Sequence, residues 1–152
     1  MKGSPFRGKG KWAIGIDLGG TKTIVGQVDR QGKVRRRLLL PTDAPKGPAS
    51  VKQAIASAVQ TLVKDAGSLP AGIGVGVAGQ VDAQKGRVLF APNLGWRDEP
   101  LREDLARATG LPVLVENDVR AATRGEWLYG AGQGCNDLIC LFVGTGIGGG
   151  VV

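Results

Sequence analysis

The stretch that decides the fold is IGIDLGGTKTIVGQVD, residues 14–29. An apolar run ends in Asp17, Gly19 and Gly20 turn the chain, and Thr23 to Asp29 alternates apolar and polar residues. Glycines at the end of an apolar strand often cradle phosphate, but the known loops differ in the element that comes after them. A Walker A loop needs lysine where Thr21 stands. Walker A and dinucleotide-binding glycines also open a helix whose N-terminus holds the anion. Here the next segment has period two, the period of a strand. The glycines therefore turn a hairpin, and a phosphate would meet turn N–H groups and a hydroxyl, not a helix end.

Working outward, WAIGIDL (12–18), TIVGQVD (23–29) and KVRRRLLL (33–40) read as three strands joined by short turns, an antiparallel meander ended by Pro41. Val51, Ile55, Val59, Leu62, Val63 and Ala66 then recur at helical spacing across 48–66, with Gly67 as the stop. AGIGVGVAG (71–79) is a buried glycine-rich strand, and 80–96 reads as a loop with a small hairpin about Lys85-Gly86. A short helix over 100–110, a strand over 111–117 and a helix over 118–130 come next. DLICLFVGTGIGGGVV (137–152) is a strand, a glycine turn and a further strand. The order βββαβαβα, then ββ, is α/β with a mixed sheet.

A chain of 152 residues with 42% hydrophobic and 22% charged residues buries a core and is not a disordered segment. Half of the 26 glycines gather at 15–26, 72–79 and 144–150, where apolar runs end. The net charge of +7 is spread over residues 2–11 and 33–37 with no basic helix and no interleaved aromatics, so it reads as solvated surface and not as a nucleic-acid site. Two cysteines and no histidine exclude a disulfide framework and a zinc site built from this chain alone, and fit a reducing compartment. Cys140, inside LICLFV, reads as a small buried hydrophobe. No apolar run reaches 18 residues and no leader is visible, so neither membrane span nor signal peptide is expected, and the setting is cytoplasmic.

Gly144, Gly146 and Gly149 fit G-x-G-x-x-G after a strand, but no helix comes after them within the sequence. Either glycine turn judged alone is equally a hairpin without a ligand. Two in one chain, each with threonine beside glycine, favour phosphate. DLGGTK (17–22), GVAGQVD (76–82), APNLGW (91–96), ENDVRAATRGE (116–126) and GTGIGGG (144–150), in this order, make the chain resemble the N-terminal half of a ROK-family sugar kinase, within the actin-like ATPase and hexokinase superfamily. The resemblance implies a ribonuclease-H-like, actin-like ATPase lobe over residues 12–130 behind a flexible tail of 1–11. Residues 131–152 would then begin a second lobe with its first hairpin.

It also implies roles. Asp17 would stand near the Mg²⁺ of MgATP, and Gly19, Gly20, Thr21 and Lys22 would meet the phosphates, joined by Gly144, Thr145 and Gly146 from the second lobe. Phosphoryl transfer relies on positioning and charge neutralisation, which suits such a set. Asp118 would accept the proton of the attacking sugar hydroxyl; from residues alone it reads as well as a helix N-cap. Asn117, Asn93 and the close-approach Gly79 would face the sugar. Lys22 and Asn117 also have plain readings, as an exposed turn lysine and a strand-end turn residue. Asp82 reads as a turn residue, Trp96 as loop packing, and Trp127 and Leu128 as core.

Arg120 and Arg124 depart from the family, which often has Asn and a small residue there. The family's later histidine, sugar-binding glutamate and cysteine-rich zinc loop would lie beyond residue 152, so structural Zn²⁺ is expected only from that part. The resemblance implies a glucokinase-like enzyme using sugar and nucleotide and assembling as a dimer, with polyphosphate an open alternative donor. A sugar-responsive repressor of the same family would carry a helix-turn-helix before Trp12, where only eleven residues stand. A third reading is a lobe without chemistry of its own, since half of the nucleotide cleft and the cover for the final hairpin would be absent. These 152 residues by themselves are expected not to turn over substrate.

Overall fold

The computed structural model describes residues 10–143 and 147–152. Its main sheet has five strands: β1 (Trp12–Leu18), β2 (Lys22–Asp29), β3 (Val34–Pro41), β4 (Ile73–Val77) and β8 (Val113–Asn117), in the order β3-β2-β1-β4-β8. The first three pair antiparallel, as the meander requires, and β1, β4 and β8 run parallel. Helices α1 (Pro48–Ala66) and α2 (Leu101–Thr109) supply the crossovers, and Gly67 and Gly110 end them in the left-handed conformation that glycine adopts without strain.

Strand alternation writes two different faces. Ile14, Ile16, Leu18, Val25, Ile73, Val75, Val77, Val113 and Val115 are buried with Val51, Ile55, Val59 and Leu62 of α1 and Leu101 and Leu105 of α2. Each large side chain withdrawn from water there contributes about 1.5–3 kcal/mol. On β1 up to Asp17 and on β4 the intervening positions are small: Ala13, Gly15, Gly74 and Gly76. On that side α3 (Asp118–Tyr129) comes so close that a Cβ on Gly76 would lie 3.3 Å from Asp118 Cα and 3.7 Å from Ala121 Cβ.

The stretch 80–96 is more ordered than the loop expected from sequence. β5 (Gln80–Asp82), β6 (Arg87–Ala91) and β7 (Trp96–Glu99) form a second antiparallel sheet, with a 3-10 turn at Pro92–Leu94. The β5–β6 turn does lie at Lys85-Gly86: Asp82 accepts from Gly86 N at 2.7 Å and from Lys85 N at 2.9 Å, and Gly86 has φ 68°. Asp82 is thus the turn residue expected, and Trp96 is packed away at 1% exposure. The three strands hold because Val88, Ala91, Leu94 and Trp96 sink into the main core. Lys52 of α1 clips this sheet to α2 through Glu99 (2.8 Å) and Asp104 (2.6 Å).

β9 (Ile139–Val143) and β10 (Ile147–Val151) make the final hairpin as a separate two-stranded sheet. It sits on α3 through glycines: a Cβ on Gly148 would meet Val119 Cγ2 at 2.7 Å, and one on Gly150 would strike the Thr123 hydroxyl. Its other face, with Leu141, Val143 and Ile147, is exposed. Two core assignments are corrected here. Leu128 is 38% exposed and Cys140 only half-buried, because α3 fully buries just Thr123 and helical spacing alone does not supply a covering partner. Trp127 is half-buried, its indole N–H donating to Cys135 O at 2.9 Å. The expected tail 1–11 falls almost wholly outside the described residues. Among the described residues no helix is long and apolar enough to cross a membrane.

Candidate active site

The parallel strands β1, β4 and β8 end side by side, and the C-terminal edge of parallel strands is where α/β folds place ligands. Asp17 stands at the end of β1, Gly79 just past β4, and Asn117 and Asp118 at the junction of β8 and α3. A cleft of about 730 Å³ runs over the glycine-lined face and is bordered by Asp17, Arg37, Gly76, Glu116, Asp118 and Phe142.

Asp17 and Asp118 face one another closely enough to interact. Crowding by protein atoms pushes the Asp17 carboxyl above its ordinary value, the charge of Asp118 adds to this, and Lys22 opposes it. The shift is worth little in energy, since Asp17 itself is exposed at the cleft. Among the described residues no three His, Cys, Asp or Glu side chains gather to ligate a metal. A divalent cation here would rest on Asp17 beside Asp118 and complete its shell with phosphate oxygens and water, the ordinary habit of Mg²⁺. A carboxylate crowded by protein atoms and by the charge of Asp118 fits such a cation.

The helix after β8 is capped by Asn117, whose Oδ1 accepts from Arg120 N at 3.1 Å. Asp118 is the first helical residue and is not the cap, so its carboxylate is left for other work. Asn117 Nδ2 donates to Gly79 O at 3.0 Å and to Asp118 Oδ1 at 2.9 Å. Its backbone partners fix the orientation of the amide, because Arg120 N–H only donates and Gly79 C=O only accepts. Both donors of Asn117 are therefore spent within the protein, and one lone pair of Oδ1 remains.

At the hairpin turn, Gly19 N donates to Lys22 O at 3.2 Å, and Thr21 and Lys22 are exposed. Gly20 is pressed on the second sheet's loop: a Cβ there would come 2.7 Å from both Cβ and O of Asn93. The turn and the exposed Asn93 are thus brought into contact, although 73 positions separate them in sequence. Gly79 is required by packing, since a Cβ would lie 2.5 Å from Phe90 O. Gly144, Thr145 and Gly146 lie outside the described residues. Sequence reasoning missed Thr42, which is buried beneath the turn with Thr23, bonds to the turn twice and pairs once with the Thr23 hydroxyl. Its only signal is a threonine directly after the strand-ending proline.

A model of the ROK family matches residues 13–152. The chain belongs to the ROK family. It is 45% identical over 139 residues to a glucokinase of Streptomyces coelicolor, covering 91% of this chain and 43% of that one. The crystal structure of a ROK family glucokinase from Streptomyces griseus, in complex with glucose and AMPPNP, superimposes with a TM-score of 0.84 at 42% identity over 93% of this chain and 44% of the other. An inorganic polyphosphate/ATP-glucomannokinase from an Arthrobacter species matches with a TM-score of 0.79 at 37% identity, over 91% and 56% of the two chains. The fold is that of the ROK glucokinases, and the mixed sheet expected of an actin-like ATPase lobe is observed. This ROK chain spans less than half the length of the curated glucokinases it matches.

Proposed function

We propose that the protein of this chain transfers the γ-phosphoryl group of ATP to a hydroxyl of a hexose, glucose foremost. The observation that carries the reading is that Asp17 and Asp118 border one cleft and that the charges of Asp118 and Lys22 both act on Asp17, in a chain 45% identical to a glucokinase. Asp118 is the base: Oδ1 is held by Asn117, and Oδ2 takes the hydroxyl proton as the sugar oxygen attacks the γ-phosphorus. The new O–P bond forms as the bond to the β,γ-bridging oxygen breaks, and ADP leaves. Asp17 would hold Mg²⁺, which would supply neutralisation of the phosphate charge. Gly19, Gly20, Thr21 and Lys22 meet the phosphates, and the resemblance adds Gly144, Thr145 and Gly146 to that set. Asn93, the remaining lone pair of Asn117 and the backbone at Gly79 orient the sugar. The reading carries a cytoplasmic setting and a homodimer with it, with residues 12–130 forming one lobe and 131–152 opening the next. Because the chain spans less than half the length of the glucokinases it matches, the 152 residues alone are expected not to turn over substrate.

The test is Asp118→Asn in the full-length protein, with ADP release measured on glucose and MgATP. The expected loss in kcat is about 100- to 10,000-fold, the usual contribution of a general base, with sugar affinity retained. Turnover near wild type would refute the assignment. Polyphosphate offered in place of ATP, which the Arthrobacter relative's name makes a natural control, tests the choice of donor.

A further inference from the structure

We propose that Thr42 is a positioning residue that sets the Gly19–Lys22 turn for phosphate, an inference that rests on the kinase reading. Thr42 directly follows β3 and is 3% exposed; Thr23, at the start of β2, is 1% exposed. Thr42 N donates to Thr21 O at 3.0 Å, and Thr42 Oγ1 donates to Gly19 O at 2.7 Å. The two hydroxyls stand 2.8 Å apart. Since the one hydroxyl hydrogen of Thr42 is committed to Gly19, Thr23 must be the donor of that pair. A directed chain therefore runs from Thr23 through Thr42 to the turn.

The consequence follows from peptide geometry. In a trans peptide the C=O of one residue and the N–H of the next point in opposite directions, and among the described residues no peptide bond is cis. Thr42 draws the carbonyls of Gly19 and Thr21 toward the buried side. The N–H groups of Gly20 and Lys22, which share those two peptide planes, are thereby turned away from Thr42. Successive N–H groups presented on one side of a turn form a concavity for an anion. Thr42 thus acts at a distance, without touching the phosphates, by fixing which edge of each peptide the turn shows them. The hydroxyl is the part that matters, because the backbone bond from Thr42 N survives any substitution except proline.

The experiment compares Thr42→Val, Thr42→Ser and Thr23→Val with wild type in the full-length protein. KM is measured for MgATP and for glucose, together with the dissociation constant of AMPPNP with Mg²⁺ by calorimetry. Thr42→Val is expected to raise KM for MgATP and the AMPPNP dissociation constant by about tenfold, the worth of roughly one hydrogen bond. KM for glucose should stay within about twofold. Thr42→Ser, which keeps the hydroxyl, should restore nucleotide affinity. Thr23→Val should show a smaller loss of the same kind, and it decides the matter if Thr42→Val does not fold. Equal weakening toward both substrates, or unchanged nucleotide affinity, overturns the inference. Asp118→Asn run alongside separates the two levels: if that variant turns over normally the kinase base is wrongly placed, whatever Thr42 does.

Discussion

Substitution of Asn117 tests how the β8–α3 junction is held. Its side chain makes three bonds: the cap to Arg120 N, and donations to Gly79 O and Asp118 Oδ1. Losing a cap costs about 1 kcal/mol. A neutral hydrogen bond is worth about 1 kcal/mol and one to a carboxylate about 1.5–3. Because Asn117 is only half-buried, water recovers part of this, and Asn117→Ala should cost about 2–3 kcal/mol. Asn117→Ser keeps the cap and loses both donors, so it should recover about 1 kcal/mol of that loss. The informative variant is Asn117→Asp. Asp caps helices as well as Asn and favours the positive end of the helix dipole, so capping alone leaves stability unchanged or improved. In this structure it sets an acceptor against Gly79 O and a second carboxylate against Asp118, and should fall below Ser. Urea denaturation of the 152-residue chain at pH 7, followed by tryptophan fluorescence, gives the order. With a slope of about 2 kcal/mol per molar urea, the Ala variant shifts the midpoint by about 1–1.5 M. Asn117→Asp as stable as wild type would refute the donor arrangement.

Two further outcomes are expected. Asp17→Asn should stabilise the chain in the absence of cations by less than about 1 kcal/mol, since the carboxylate is exposed. With the folded pKa raised above 3.8, the penalty is absent below that pH, grows as pH rises toward the folded value and is complete above it. Thermal midpoints at pH 3 and pH 7 check this, and a gain that persists at pH 3 would contradict the cause. Lys52→Met should cost about 1–3 kcal/mol, because it strands Glu99 and Asp104 partly buried without their cation. Burial works to lower the Lys52 ammonium, but the bonds to Asp104 and Glu99 outweigh it and raise it above 10.5. The gap between wild type and variant in urea midpoint should therefore hold from neutrality to about pH 10 and close only above the raised value.

The parts of this fold legible in sequence are those with long periods or hard stops. The helix 48–66 carries five turns of spacing and a glycine stop, and it is found at those bounds. The hairpin at Gly19–Gly20 is legible from the period-two alternation of Thr23 to Asp29. Of the sheet over 80–99 only the hairpin about Lys85-Gly86 is legible, because strands of three to five residues broken by Gly and Pro are too short to display a period. Leu128 and Cys140 have core chemistry, but burial depends on which surface arrives opposite. At the site, Asp17 and Asp118 stand out as strand-end and helix-start carboxylates. That Asn117 and not Asp118 caps α3 depends on the residue at which the backbone turns helical, and Asn117 is still extended at φ −63°, ψ 141°. Thr42 is invisible in sequence, since its effect runs through backbone carbonyls of residues far from it in the chain.

The placement of core and cleft comes from the same alternation. In β1 the residues at 14, 16 and 18 are Ile, Ile and Leu, while 13, 15 and 17 are Ala, Gly and Asp; in β4, Ile73, Val75 and Val77 alternate with Gly74 and Gly76. One parity builds the hydrophobic layer under α1 and α2. The other strips the opposite face of side chains until Asp17, so α3 can lie close enough for its first residue to meet Gly76 and for Asp118 to face Asp17 across the cleft. A larger residue at position 76 would force the start of α3 outward and carry Asp118 with it. Close packing and carboxylate pairing are therefore a single requirement. The cost of bringing two negative charges together is borne by the aliphatic layer one residue away on the same strands, where burial stabilises by far more than the pairing costs.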